Sequence, residues 1–218
     1  MKHLLTLWML ALCLCVSAKE TCPKVIPALQ EWKGGSGKLV LPAEGSIVVA
    51  PADEAALKSV ATVLAQDLKD LLDWNYTIRT GKPGKNDIYL SLMKPDKQLG
   101  EEGYVLTAGR YAGIEAPARQ GAFWGTRSLL QILYNEKGQL PKGVARDWSQ
   151  YPSRGFMLDV GRKFFTMDFL RQYVKILSFY KLNEFQIHLN DNGFVQFFDN
   201  DWNKTYAAFR LESERFPG

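Results

Sequence analysis

The chain has 218 residues, of which 46% are hydrophobic and 23% charged, and a net charge of +4. These values exclude a disordered or fibrous chain and allow one large domain, or one small domain plus part of another. Lys and Arg form no dense block with interleaved aromatics, which argues against a nucleic-acid partner.

Lys2 and His3 precede an apolar run, Leu4 to Val16, that ends in Ser17-Ala18. This is the layout of a signal peptide, and the run is too short to span a bilayer. It predicts cleavage after Ala18 and export to the periplasm, the cell surface or the medium, in a bacterial setting. Cys13 and Cys15 lie inside this leader, so only Cys22 remains and no intrachain disulfide is expected. An exported chain of that kind depends on its core for stability. Asn75-Tyr-Thr and Asn203-Lys-Thr match the glycosylation sequon, a pattern that arises easily by chance.

Residues 19–150 read as an α+β domain. Lys38 to Leu41 and Ser46 to Ala50 form short strands around a Pro42-Ala-Glu-Gly turn, and Gly34-Gly-Ser-Gly reads as a turn before them. Asp53 sits at an N-cap position. Leu57, Val60, Ala61, Leu64, Leu68, Leu71 and Leu72 follow at helical spacing, along a helix of about five turns. Asp87 to Leu92 alternates as a half-buried strand does. Gly103 to Ala108 and Gly113 to Ala116 pair as a hairpin, and a second helix runs from Gln120 to a stop at Lys137-Gly138. The expected fold is a mixed or antiparallel sheet with helices on one face.

Leu140 to Arg154 is polar and Pro-containing and reads as a link. Beyond it, residues 151–218 change pattern. Phe156 to Val160 and Phe185 to Leu189 are apolar runs of the kind buried on both faces of a parallel sheet. Between them Thr166 caps a helix with Phe169, Leu170, Tyr173, Val174, Ile176, Leu177 and Tyr180 on its apolar face. This is a βαβ unit, right-handed by strong precedent.

Arg162 and Asp191 each follow one of these strands by a residue or two. Neighbouring strands lie about 5 Å apart, so guanidinium and carboxylate can meet at one rim. There they serve as a structural salt bridge or fix an arginine that offers donors to hydroxyls or a carboxylate. His188 ends the second strand and is either a satisfied core residue or part of that rim. Asp159 is expected to bond to backbone or to a neighbouring strand, and Asp199-Asn-Asp201 with Trp202 to form a solvated loop. No metal or other cofactor is expected, because neither a second mature-chain His nor a cluster with ligand spacing is present. Gly-x-Ser-x-Gly and phosphate-loop motifs are also missing.

Arg154-Gly-Phe-Met-Leu-Asp-Val-Gly-Arg-Lys-Phe-Phe and Tyr180-Lys-Leu-Asn-Glu-Phe-Gln-Ile-His-Leu-Asn-Asp-Asn resemble the opening of the catalytic barrel in family 20 glycoside hydrolases, the β-N-acetylhexosaminidases. Glu102-Gly-Tyr-Val-Leu and Gly121-Ala-Phe-Trp-Gly-Thr-Arg-Ser-Leu-Leu-Gln-Ile-Leu are similar to the domain that precedes that barrel. The resemblance spans most of residues 24–218. It implies an α+β domain followed by the first βαβ unit of a truncated (β/α)8 TIM barrel, and a glycan ending in N-acetylhexosamine as the partner. Arg162 matches the family's arginine that grips sugar hydroxyls, Asp191 the acid that supports it, and His188 the histidine beside it. Lys163, Gln186 and Asn192 depart from the commoner pattern and leave substrate preference, and a non-catalytic relative, open.

The mechanism implied is substrate-assisted and retaining, an exception to the two-carboxylate scheme. The 2-acetamido oxygen attacks the anomeric carbon, a Glu protonates the leaving oxygen, and the preceding Asp orients the acetamido group. That Asp-Glu pair belongs on the fourth barrel strand, about a hundred residues beyond the first. Glu212 and Glu214 lack the matching context, so no catalytic residue is assigned within these 218 residues. The alternative is a non-catalytic carbohydrate- or partner-binding module with a vestigial barrel. A partial barrel leaves strand edges and helix faces uncovered, so residues 152–218 are expected to pack poorly while residues 24–150 fold alone. The purified chain is expected to release no chromophore from an N-acetylglucosaminide, and release above a mock preparation would refute this.

Overall fold

A computed structural model describes residues 21–191, 194–204 and 214–215. The signal-peptide segment, Asn192 and Glu212 lie outside the described residues. No helix among the described residues is long and apolar enough to cross a membrane. The chain divides into two compact units, Met1–Ser149 and Gln150–Gly218.

The first unit contains strands β1 (Glu31–Val40), β2 (Glu44–Val49), β3 (Asn75–Thr80), β4 (Ile88–Leu92), β5 (Tyr104–Ala108), β6 (Ala112–Ala116) and β7 (Gln139–Asp147), with helices α1 (Glu54–Leu72) and α2 (Arg119–Asn135). The strands form one seven-stranded sheet in the order β1-β7-β5-β6-β4-β2-β3. It is mixed. β2 pairs in parallel with β3 and β4, and β4 with β6, while β5–β6, β5–β7 and β1–β7 are antiparallel. The two helices pack on each other and on the sheet, so they share one face.

The helices form where the apolar spacing puts them. Leu57, Val60, Ala61, Leu64 and Leu68 are the buried stripe of α1, and Ala122, Leu129, Leu130, Ile132 and Leu133 lie in the core from α2. Gly125 allows α2 to approach closely, because a Cβ there would stand 2.6 Å from Ile114 Cγ2 and 3.1 Å from the Tyr104 ring. Asp53 takes the N-cap position of α1 without a side-chain cap bond. Its carboxylate instead accepts the Leu92 N–H at 2.8 Å, tying the end of β4 to the start of the helix.

Three features differ from the sequence reading. Gly34-Gly-Ser-Gly is not a turn but part of the ten-residue β1, which absorbs the glycines as a register shift between Gly34 and Lys38. Residues 140–147 belong to β7 rather than to a link, and they pair with β1 and β5 on either side. Pro141 is tolerated because the β5 ladder stops at Gly143, so the missing N–H falls where β7 has only β1 beside it. β3 escaped notice because it lies at a sheet edge and shows an almost wholly exposed pattern instead of alternation. β1 and β2, adjacent in sequence, are not neighbours in the sheet.

A buried polar cluster fastens α2 and the sheet together. The Tyr104 hydroxyl donates to Asp147 Oδ2 at 2.5 Å and lies 2.6 Å from Ser128 Oγ, joining β5, β7 and α2. Asp147 also accepts the Gln30 N–H at 3.2 Å. Burial, and then the Asp147 charge, push the Tyr104 hydroxyl well above its usual pKa. Nearby, Arg127 donates to Asp67 of α1 at 2.5 Å, and burial lowers its pKa against the opposing pull of that carboxylate.

The second unit is a strand–helix–strand: β8 (Gly155–Asp159), α3 (Met167–Phe179) and β9 (Glu184–His188). β8 and β9 pair in parallel, from Gly155 opposite Glu184 to Asp159 opposite His188. Thr166 caps α3 by accepting the Phe169 N–H at 3.2 Å. Tyr173 of α3 sits over the sheet with ring centroids 5.4 Å from Phe156 and 5.7 Å from Phe185. The expectation of strands buried on both faces is not met in this unit: Phe156 is 41% and Met157 52% exposed. One helix covers one side of a two-stranded sheet, and among the described residues of the unit nothing covers the other.

Tyr104→Phe is expected to lower stability by about 1–3 kcal/mol, because a buried carboxylate loses a hydrogen bond without gaining water. Urea unfolding of the chain followed by tryptophan fluorescence measures this, and an unchanged midpoint would count against the cluster.

Candidate functional site

The ends of β8 and β9 carry the polar residues singled out in the sequence. Because Asp159 and His188 are ladder partners, the segments that follow them leave the sheet side by side. The His188 carbonyl accepts both the Val160 N–H at 3.0 Å and the Gly161 N–H at 3.1 Å. These bonds continue the pairing one step past the strands. Gly161 is required for that approach: a Cβ would stand 2.9 Å from Asn190 Cα and 3.0 Å from the Asp191 nitrogen. Those are backbone atoms, which cannot rotate away.

On this platform Arg162, Asp191 and His188 come together. Arg162 Nη1 donates to Asp159 Oδ2 at 3.0 Å, and Nη2 donates to Asp191 Oδ2. His188 Nε2 lies 2.9 Å from the same Asp191 oxygen. Asp159 Oδ1 accepts the backbone N–H groups of Gly161 and Arg162 at 3.0 and 3.1 Å. That agrees with the backbone role expected for Asp159, but its other oxygen also grips the arginine. The guanidinium carbon lies 4.9 Å from the centroid of the Phe194 ring, a cation–π distance.

The guanidinium is thus held by two carboxylates and faced by a ring, while 34% of the Arg162 side chain stays exposed. Pairs this open to water contribute little to stability, about 1 kcal/mol or less each. Their effect is to fix the direction of a planar donor group, which suits recognition of hydroxyls or carboxylates.

Sequence reasoning missed the second grip by Asp159 and the Phe194 ring. The i−3 spacing of Asp159 before Arg162, at the end of a strand, is the signal that points to the first. No comparable signal marks Phe194, three residues after Asp191. Asp199 and Asn200 adopt left-handed backbone at φ 56° and 57°. With exposed Trp202 they form a turn, Lys204 lying 3.9 Å from Asp201. Glu214 is exposed. The one adjacent Asp-Glu pair in the sequence, Asp53-Glu54, starts α1 in the first unit and has the structural role described above. Among the described residues no group of three His, Cys, Asp or Glu side chains could hold a metal ion.

Comparison with known proteins places the chain in a class. Domain 2 of glycosyl hydrolase family 20 matches residues 22–148, and the catalytic domain of the same family matches residues 151–198. The chain belongs to glycosyl hydrolase family 20. It is similar to a β-hexosaminidase of Porphyromonas gingivalis, 31% identical over 172 residues that cover 74% of this chain and 20% of that protein. It is also similar to a β-N-acetylhexosaminidase of Cellulomonas fimi, 29% identical over 170 residues that cover 76% of this chain and 34% of that protein. The chain therefore spans between a fifth and about a third of these relatives.

Among solved structures, a mutant Streptomyces plicatus β-hexosaminidase in complex with its product GlcNAc matches with a TM-score of 0.69 and 27% identity. That match covers 81% of this chain and 36% of the other. A β-N-acetylhexosaminidase of Bacteroides fragilis shares the fold, with a TM-score of 0.67 at 21% identity, over 88% of this chain and 35% of the other.

Gly161→Ala is expected to force Asn190 and Asp191 away and to loosen the Arg162–Asp191 pair. Strain of this kind costs about 1–3 kcal/mol, so amide exchange at Val160 and Gly161 should rise about tenfold or more. Unchanged protection of those amides, measured by NMR, would show that the close approach is not needed.

Proposed function

We propose that the chain is the leading part of an exported β-N-acetylhexosaminidase and that its second unit opens a (β/α)8 barrel. In this reading Arg162 holds hydroxyls of a terminal, non-reducing N-acetylhexosamine. Asp159 and Asp191 keep the guanidinium in place, and His188 steadies the same Asp191 oxygen that the guanidinium contacts. The observation that carries the reading is the doubly held guanidinium at the carboxyl ends of β8 and β9, the rim at which parallel α/β folds assemble their ligand sites.

The relatives named above support the substrate class, since they are hexosaminidases and one was captured with GlcNAc. In a substrate-assisted, retaining reaction the sugar supplies its own nucleophile, the acetamido oxygen. The protein then has to hold the ring rigidly enough for that oxygen to reach the anomeric carbon. A fixed donor array on the ring hydroxyls contributes to that placement. The leader, Met1 to Ala18, supports export.

Saturation-transfer NMR with N-acetylglucosamine on the 218-residue chain tests the assignment. The wild-type chain should give a transfer signal on the ring protons. Arg162→Met and Asp191→Asn should each weaken binding about tenfold or more, the loss expected for a charge-assisted contact. A signal that survives Arg162→Met unchanged would remove Arg162 from the sugar site.

A further inference from the structure

The first unit carries a second candidate site, built from other residues than the Arg162 rim. At one end of the sheet a pocket of about 580 Å³ is lined by Lys38, Lys85, Arg110 and Lys142, together with Leu39, Val40, Asn86 and Gly109. The basic residues come from β1, the loop before β4, the tip of the β5–β6 hairpin and β7. No acidic residue lines the pocket.

Nearby carboxylates offset only part of this charge. Lys38 pairs with Glu136 at 3.3 Å. Asp87, two residues from Lys85, is engaged by Arg79 at 2.6 Å and by the Gly84 N–H at 2.6 Å. Lys85, Arg110 and Lys142 have no carboxylate partner among the described residues. Three like charges around one concavity repel one another, and a bound anion relieves that repulsion.

The walls are held in place before any ligand arrives. Asn86 adopts left-handed backbone at φ 64°, and its N–H donates to the Arg110 carbonyl at 2.9 Å. The Ala112 N–H donates to the Asp87 carbonyl at 2.9 Å. The Lys85 loop and the Arg110 turn are therefore locked together. Pro141, beside Lys142, pairs with Lys38 across the β1–β7 ladder. Val40, 58% exposed, adds an aliphatic surface, while the side chain of its strand neighbour Leu39 turns into the core.

We propose that this pocket binds an acidic glycan, its sulfate or carboxylate groups held by Lys85, Arg110 and Lys142 and a sugar face resting on Val40. The volume falls within the range of small-ligand sites. The pocket contains no aromatic side chain on which a base could stack, which disfavours single-stranded nucleic acid. That the anion is carried on carbohydrate rests on the hexosaminidase reading. The site itself shares no residue with the Arg162 rim.

Titration calorimetry on the whole chain tests this with a sulfated heparin hexasaccharide, a hyaluronan hexasaccharide bearing carboxylates only, neutral chitohexaose, inorganic sulfate and a short DNA duplex. Saturable binding of at least one acidic hexasaccharide is expected, and the tighter of the two identifies the acid group recognised. Affinity should fall about tenfold or more in Lys85→Gln/Arg110→Gln/Lys142→Gln at an unchanged melting temperature. It should also fall steeply when wild-type protein is moved to high salt, a readout independent of the variant's folding. Arg162→Met should bind the acidic glycan as wild type does, so failure of the sugar-rim assignment and failure of this one are separable. The proposal is overturned if neither acidic hexasaccharide binds, or if the triple variant binds as tightly as wild type. It is equally overturned if chitohexaose, sulfate alone or the DNA duplex binds as tightly as the acidic glycans.

Discussion

Asp159 and His188 face each other in a parallel ladder, so whatever follows them in sequence leaves the sheet as two chains about 5 Å apart. The candidate sugar site derives from that constraint. It brings Arg162 within reach of Asp191, although 28 residues separate them in sequence, and it lets the His188 carbonyl bond two consecutive amides of the opposite segment. Asp159 then acts on both levels, ordering the turn through its backbone bonds and the guanidinium through its other oxygen. If the register slipped by one residue, Asp191 would no longer face the arginine, which would keep only the grip of Asp159 from its own segment.

The first unit is organised by a different interaction. Its sheet mixes parallel and antiparallel ladders, and the strands from distant parts of the chain meet where Tyr104, Ser128 and Asp147 share hydrogen bonds. A buried carboxylate is tolerated only when such partners surround it. The Arg127–Asp67 pair does the same between the two helices. These polar contacts fix which way α1 and α2 lie on a sheet whose apolar surface alone is less selective.

Elements that carry a regular apolar pattern were legible in the sequence, namely α1, α2, the β5–β6 hairpin and the β8–α3–β9 unit, although the last of these leaves much of its pattern exposed. β3 was not, because an edge strand with little buried surface leaves no alternation to read, and β7 was not, because Pro141 and Gly143 look like turn residues unless the end of the neighbouring ladder is known. The Arg162–Asp191 pairing could be anticipated, since strand spacing alone brings the two together. Phe194 could not, because its position depends on the path of the loop after Asp191. The basic pocket was invisible for a related reason. Lys38, Lys85, Arg110 and Lys142 form no run of charge and converge only when the sheet is assembled in its own strand order.

An open sheet ends in two strands whose outer N–H and C=O groups can recruit a strand from another molecule. In the first unit those strands are β1 and β3. β1 shifts register between Gly34 and Lys38, which interrupts the even row of donors and acceptors that an incoming strand would need. The glycine-rich stretch that obscures β1 in the sequence therefore serves as a guard: it gives up regular pairing at one edge and discourages the module from growing, chain upon chain, into a longer sheet.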